Sequence, residues 1–257
     1  MSSSLSTHLS HPKYRPDIDG LRAIAIIAVV WFHAYPSSLR SGFIGVDIFF
    51  VISGFLISSI IFSNLERNTF SFREFYIRRI RRILPALTTV MLSSFIFGWF
   101  ALTAQEYKQL GEHLAGGSAF ISNFLLWSES GYFDNAAETK PMLHLWSLAI
   151  EEQFYIFWPL LMMLAWRKHK SFLTIMLIIA FTSFAFSIYQ IGYDKTAAFY
   201  SPLTRIWELM AGGILAYISL HRPALIARFP HQQSIAGFLM LIVGFIVINR
   251  WSLFPGW

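Results

Sequence analysis

Cysteine is absent from the chain. That absence removes a disulfide framework, a Cys-ligated zinc site and a thiol nucleophile, so any chemistry must come from other side chains. No metal is expected. Charge is also scarce: 13% of the 257 residues are Asp, Glu, Lys or Arg, against 55% hydrophobic residues that include 26 Phe and 9 Trp. A soluble domain carries about 25% charged residues, so the natural solvent for this composition is a bilayer. The net charge of +6 could suggest nucleic acid, but in a membrane chain basic residues first report topology. Nucleic acid is not an expected partner. The chain also lacks a repeat at a fixed period and a duplicated half of the kind many transporters show.

A helix needs roughly 20 apolar residues to cross about 30 Å of hydrocarbon. Seven stretches qualify or nearly do, over 21–35, 43–62, 83–102, 143–166, 172–191, 202–220 and 235–248. Asp19 is a plausible N-cap for the first and Pro36 ends it. That span has no small-residue cleavage site after it, so it reads as a retained span and not a signal peptide. The predicted fold class is therefore an all-α, polytopic transmembrane helix bundle. A polar, basic connection fills 63–82. Between 103 and 142 the chain is mixed, with an apolar piece over 119–127 too short to span, which suits an interfacial or re-entrant segment.

Lys and Arg distribute unevenly over the two sides of this layout. With the N-terminus inside, inner segments hold 14 of them and outer segments 5, with Arg205 inside the sixth span. The asymmetry predicts a cytoplasmic N-terminal segment, 1–18, followed by a membrane domain, 19–257. The last residues follow an outward span without a closing polar tail, which suggests a domain truncated at its C-terminus.

The chemistry-bearing residues lie in or beside the spans. Arg22 and His33 are eleven residues apart, about three turns plus 20°, and share a helix face at a separation of about 16 Å. Ionisable groups inside a span are costly and usually serve a pathway or site. The alternative is that Arg22 snorkels as a topology anchor and His33 bonds at the interface. Asp47, near the outer end of the second span, lies at the depth of His33 in an antiparallel hairpin. It could orient the imidazole as a general base, pair elsewhere, or cap its own helix. Arg79 and Arg82, three apart before Pro85, could present two guanidinium forks to a phosphate-bearing donor or anchor to lipid headgroups.

The fourth span opens His144-Leu-Trp-Ser-Leu-Ala-Ile-Glu-Glu-Gln-Phe-Tyr155. His144, Ser147, Glu151 and Tyr155 fall within about 80° of arc on one face, with Glu152 about 100° round from Glu151. Such a stripe serves either as a site or as polar glue between helices. Arg205 and Glu208, at i and i+3, could form an internal ion pair.

These residues carry a resemblance. Arg15-Pro-Asp-Ile-Asp-Gly-Leu-Arg-Ala-Ile-Ala25 followed by His33, the stretch Gly42-Phe-Ile-Gly-Val-Asp-Ile-Phe-Phe-Val-Ile-Ser-Gly54, the Arg79 and Arg82 pair before Pro85, and His144 through Pro159 together resemble the acyltransferase-3 family of bacterial membrane proteins. Ser201 to Gly213 adds a weaker match. The resemblance implies O-acylation of cell-surface or exported carbohydrate, such as lipopolysaccharide O-antigen, in the bacterial cytoplasmic (inner) membrane. It implies an essential Arg22 and His33 pair with His33 as general base, acyl-CoA (by default acetyl-CoA) handled by Arg79 and Arg82, and Glu151 ahead of Glu152 as the span 4 carboxylate. It also implies about ten spans, of which seven are present here, and in some members an appended or separate extracytoplasmic hydrolase-like domain with Ser, Asp and His.

The expected partners are thus the lipid bilayer, acyl-CoA and a carbohydrate or lipid-linked glycan acceptor. His33, supported by Asp47 or Glu151, would deprotonate the attacking hydroxyl, with Arg22 as its companion and His144, Ser147, Tyr155, Arg205 and Glu208 as support. A secondary transporter or export component, whose buried His, Glu and Arg relay protons, and a non-catalytic remnant are the competing readings.

Overall fold

The computed structural model describes residues 15–130, 140, 142–168 and 171–248, and the elements among them are helices and turns. Eleven α-helices occur in these residues: α1 (Pro16–Ala34), α2 (Gly45–Glu66), α3 (Phe72–Ala101), α4 (Ala104–Ser118), α5 (Ser122–Glu129), α6 (Leu145–Arg167), α7 (Phe172–Ile191), α8 (Lys195–Tyr200), α9 (Pro202–His221), α10 (Pro223–Ala227) and α11 (Pro230–Val247). A 3₁₀ turn, Gly42–Ile44, leads into α2.

The helix starts follow from local chemistry. The Ser71 hydroxyl accepts the Glu74 amide at the start of α3, Asp194 accepts two amides at 2.9 Å at the start of α8, and Ser201 accepts Leu203 N–H before Pro202 opens α9. Each satisfies backbone donors that a helix N-terminus leaves unpaired. The Ser71 cap also explains a boundary that differs from expectation. The basic stretch from Arg73 to Arg82 is not a connection; it forms the first turns of α3, a helix of 30 residues.

Among the described residues, six helical segments are long and apolar enough to cross a membrane. The first predicted span is the exception. α1 has 19 residues and carries Asp17, Asp19 and Arg22 in its first two turns, so charge dilutes its apolar run. The other six predicted spans correspond to α2, α3, α6, α7, α9 and α11.

The described helices group into two compact units, one drawn from residues 63–163 and the other from 15–62 and 164–248. In the second unit α2 meets α9 through glycine. A Cβ on Gly54 would collide with the Leu209 carbonyl, and one on Gly212 with the Val51 carbonyl. Small residues that let backbones approach are the usual means of helix association in lipid, where apolar burial gives little drive. Phe62 stacks on Phe172 at 5.0 Å and meets Tyr217 edge-on at 6.0 Å, which ties α7 and α9 to α2.

In the first unit α4 folds back along α3 and α5 reverses again, so the apolar piece over 119–127 is the second arm of a helical hairpin. Phe120, at φ 53°, makes the turn, closed by Ile121 N–H to the Gly116 carbonyl at 2.9 Å. The tip is held by α6: Gln153 donates to the Phe120 carbonyl at 2.8 Å and to Asn123 Oδ1 at 2.9 Å. A loop of two short helices pinned to a spanning helix suits the interfacial or re-entrant segment expected there, with Ser118, Ala119 and Ile121 of the turn exposed and Ser122 and Asn123 buried behind it.

Candidate functional site

Each unit carries its own cluster of ionisable side chains. In the first, α3 meets α6, with Tyr76 Oη donating to the Ile156 carbonyl at 3.1 Å. Two turns of α6 then present Glu151, Glu152 and Tyr155 to α3. Tyr155 is buried and donates to Glu151 Oε2 at 2.7 Å. The Arg79 guanidinium lies 5.9 Å from the centre of the Tyr155 ring, within electrostatic reach of Glu151 and Glu152. Its Nε–H is buried without an acceptor, and Glu152 Oε1 is buried without a donor. A cation, a phenol and two carboxylates therefore converge at the level where the α4–α5 tip meets Gln153.

The predicted Arg79 and Arg82 pair divides by environment. Arg79 is half-buried against α6, whereas Arg82, one turn on, is exposed. Of the predicted stripe, Glu151 and Tyr155 pair directly. Ser147 donates to the His144 carbonyl at 3.3 Å, and His144 sits exposed in the turn before α6.

In the second unit α9 delivers Arg205, with its side chain 1% exposed, to Asp47 of α2 at 2.7 Å and to Glu208 at 3.2 Å. The guanidinium also lies over the rings of Phe50 and Phe199, at 5.4 and 5.8 Å. The predicted Arg205 and Glu208 ion pair is present. The expected orientation of His33 by Asp47 is not made, because Asp47 serves Arg205. A guanidinium cannot shed its proton, so once buried it commands the nearest carboxylate.

His33 is oriented by its own helix. Its Nδ1–H donates to the Val29 carbonyl at 2.8 Å, a bond that assigns the lone pair of the neutral ring to Nε2. Arg22 lies 3.6 Å from Asp19 in an exposed pair, of the kind that contributes little stability.

Sequence reading missed a third cluster. His113 of α4, Glu129 of α5 and Lys140 meet inside the first unit, where His113 Nε2 lies 3.0 Å and Lys140 Nζ 2.7 Å from the same oxygen, Glu129 Oε2. The only advance signal is a His and a Lys in a mixed segment, which composition cannot tell from a solvated loop. Among the described residues, no group of three or more His, Cys, Asp or Glu could hold a metal ion.

The acyltransferase-3 family model, described as an acyltransferase domain, matches residues 15–256. The chain is 38% identical over 213 residues to the peptidoglycan O-acetyltransferase OatA of Listeria monocytogenes, an overlap of 80% of this chain and 34% of that protein. It is 34% identical over 252 residues to the putative peptidoglycan O-acetyltransferase YrhL of Bacillus subtilis, covering 91% of this chain and 39% of that one. The chain thus spans well under half the length of these two relatives. A Haemophilus influenzae protein without an assigned activity is similar along most of its length, at 36% identity over 82% of this chain and 90% of its own. No solved structure matches the chain.

Proposed function

The chain belongs to the acyltransferase-3 family, and from that membership we propose that it is a multi-pass membrane O-acyltransferase moving an acyl group, by default acetyl, from cytoplasmic acyl-CoA to a hydroxyl of an exported or cell-surface glycan. The observation that carries the donor half is Arg79, whose buried Nε–H lacks an acceptor beside the Tyr155 and Glu151 pair. The phosphates of CoA would supply that acceptor through charge-assisted bonds, with the exposed Arg82 as a second cation one turn away. The names of the relatives favour a peptidoglycan-type acceptor over lipopolysaccharide O-antigen.

His33 is the general base in this mechanism. With Nδ1–H held by the Val29 carbonyl, Nε2 takes the proton of the acceptor hydroxyl, and the oxygen bonds to the thioester carbon. The carbon–sulfur bond breaks, and the leaving thiolate takes the proton back from the imidazolium. Arg22, on the same helix, is its cationic companion. Glu151, bonded to Tyr155 in the first unit, serves the donor, and the Asp47, Arg205 and Glu208 cluster fixes the frame of the second unit. An extracytoplasmic hydrolase-like domain, appended or separate, would complete the path to the glycan. The site acts from the bacterial cytoplasmic membrane with the N-terminal segment in the cytoplasm.

Purified protein in lipid, given acetyl-CoA labelled on the acetyl group and a glycan acceptor, tests the reading. The expected result is CoA release with label in the glycan, falling about 10²–10⁴-fold in His33→Ala, the range of a lost general base. Arg79→Met raises the KM for acetyl-CoA and leaves that for the acceptor. Ion-driven flux without thioester cleavage would instead identify a transporter, and neither activity would identify a remnant.

A further inference from the structure

Three ionisable side chains meet inside the α4–α5 hairpin, about 10 Å along α4 from its tip by helical rise. His113 and Lys140 each have 3% of the side chain exposed, and Glu129 18%. Lys140 can only donate, so Glu129 Oε2, which receives it at 2.7 Å, is an acceptor. The same oxygen must then accept from His113 Nε2–H at 3.0 Å. In the neutral ring that puts the proton on Nε2 and the lone pair on Nδ1.

Nδ1 is buried without a hydrogen-bond partner. One turn nearer the tip, on the same face of α4 as His113, Gly117 makes room for the Leu145 side chain, and Ser122 Oγ of α5 lies alongside, at ordinary contact distance (3.7 Å) from where a Cβ would stand. Ser122 Oγ is likewise buried and unpartnered. The hairpin therefore faces inward with an acceptor held in one tautomer by a two-residue scaffold, and with a hydroxyl that can donate or accept.

These groups select a chemical class. An anion is repelled by the Nδ1 lone pair, and the Lys140 ammonium is already paired with Glu129. A metal cation would need a ligand set that one nitrogen and one hydroxyl do not supply. An apolar group leaves both atoms unsatisfied, which is costly. A neutral polyol meets both demands, because one hydroxyl donates to Nδ1 and another accepts from Ser122.

We propose that His113, held by Glu129 and Lys140, forms with Ser122 a hydroxyl-binding subsite for the carbohydrate acceptor, served by residues other than the base His33. The proposal rests on the acyl-transfer reading for its substrate. It assigns the α4–α5 hairpin to acceptor recognition and requires no proton transfer there. Glu129 and Lys140 are positioning residues that act through His113.

The test uses the full chain in lipid with acetyl-CoA and, as acceptors, a peptidoglycan disaccharide and its singly deoxygenated analogues. Wild type is expected to lose about tenfold in kcat/KM for one of these analogues, the worth of one hydrogen bond. His113→Ala should lose about the same factor on the intact disaccharide, through acceptor KM and not kcat. It should then treat the disaccharide and that analogue alike, with the KM for acetyl-CoA unchanged. A purely structural role for His113 would lower activity without erasing that discrimination, and unchanged discrimination overturns the proposal. Ser122→Ala, a small change that should fold even if His113→Ala does not, is expected to erase discrimination at a neighbouring hydroxyl; discrimination kept at every hydroxyl counts against the site. Should wild type release no CoA with any acceptor, the acyl-transfer reading fails by itself. Calorimetric binding of the disaccharide then decides the subsite, with weaker binding by His113→Ala supporting it and equal binding overturning it.

Discussion

Arg205 is the residue on which the second unit's polar chemistry turns. It sits 1% exposed between two carboxylates and two aromatic faces, and removing it strands Asp47 and Glu208 together in an apolar setting. Arg205→Met should therefore cost about 3–5 kcal/mol, as breaking a buried pair from one side does, whereas Glu208→Gln should cost less because the Asp47 bond survives. Thermal unfolding in detergent gives the ranking, and a milder effect for Arg205→Met than for Glu208→Gln would refute this account. Half of the cluster was legible in advance. Arg205 and Glu208 are three residues apart, and helical geometry alone pairs them. Asp47 is 158 residues away, and no local pattern links it to Arg205; depth in the membrane suggested His33 instead. In the first unit, Tyr155→Phe removes the phenol that holds Glu151 at 2.7 Å. It should cost about 1.5–3 kcal/mol, the worth of a bond to a charged group, and should weaken acetyl-CoA use if Glu151 and Arg79 serve the donor.

At the scale of the helix, six of the seven predicted apolar runs recur as helices of crossing length among the described residues because hydrophobic length is a local property, and α7 matches its predicted bounds of 172–191. The hairpin was harder. α4 and α5 are 15 and 8 residues long and mixed in composition, so neither announces where it packs, and His113, Glu129 and Lys140 come together only once both helices have turned. The start of α4 is sharper. Thr103 and Glu106 form a reciprocal capping box, with Thr103 N–H donating to Glu106 Oε2 at 2.8 Å and Glu106 N–H to Thr103 Oγ1 at 3.4 Å. The backbone amide and the hydroxyl of Thr103 hold the Glu106 carboxyl below its ordinary value. A depressed folded pKa means the stabilisation is present above the ordinary glutamate pKa and is lost as pH falls through the depressed value. Amide protection over the first turn of α4 should accordingly drop on acidification in wild type and be low at every pH in Thr103→Ala. The α2–α9 contact makes a second prediction at this scale. Gly54→Ala and Gly212→Ala each push a methyl into a carbonyl of the facing helix, which should cost about 1–3 kcal/mol by overpacking. The pair should be less than additive, because the first substitution already parts the two backbones for the second.

For the whole chain, the composition that excludes water also supplies the means of testing topology. Apolar length alone finds six helices able to cross among the described residues, but length does not say which end of each faces the cytoplasm. The uneven spread of Lys and Arg predicts it, with Glu66 and Arg222 expected on the inner side and Lys108 and Lys195 on the outer. All four are exposed side chains near helix ends. Because the chain has no cysteine, a single Cys at each position is the sole thiol, with no native background. A membrane-impermeant maleimide should label Lys108→Cys and Lys195→Cys in intact cells, and Glu66→Cys and Arg222→Cys only after the cells are broken open. The functional reading depends on this outcome, since a phosphate-bearing CoA cannot cross the bilayer and must meet Arg79 and Arg82 from the cytoplasm. α3 is 30 residues long, about 45 Å by helical rise, with both arginines in its first three turns and the α4 start beyond its far end. If Lys108→Cys labels from outside, the donor and the α4 start lie on opposite faces, as acyl transfer across a membrane needs. Labelling of Lys108→Cys only in broken cells would put the arginines outside, beyond the reach of cytoplasmic CoA, and the proposed reaction would fail on topology alone.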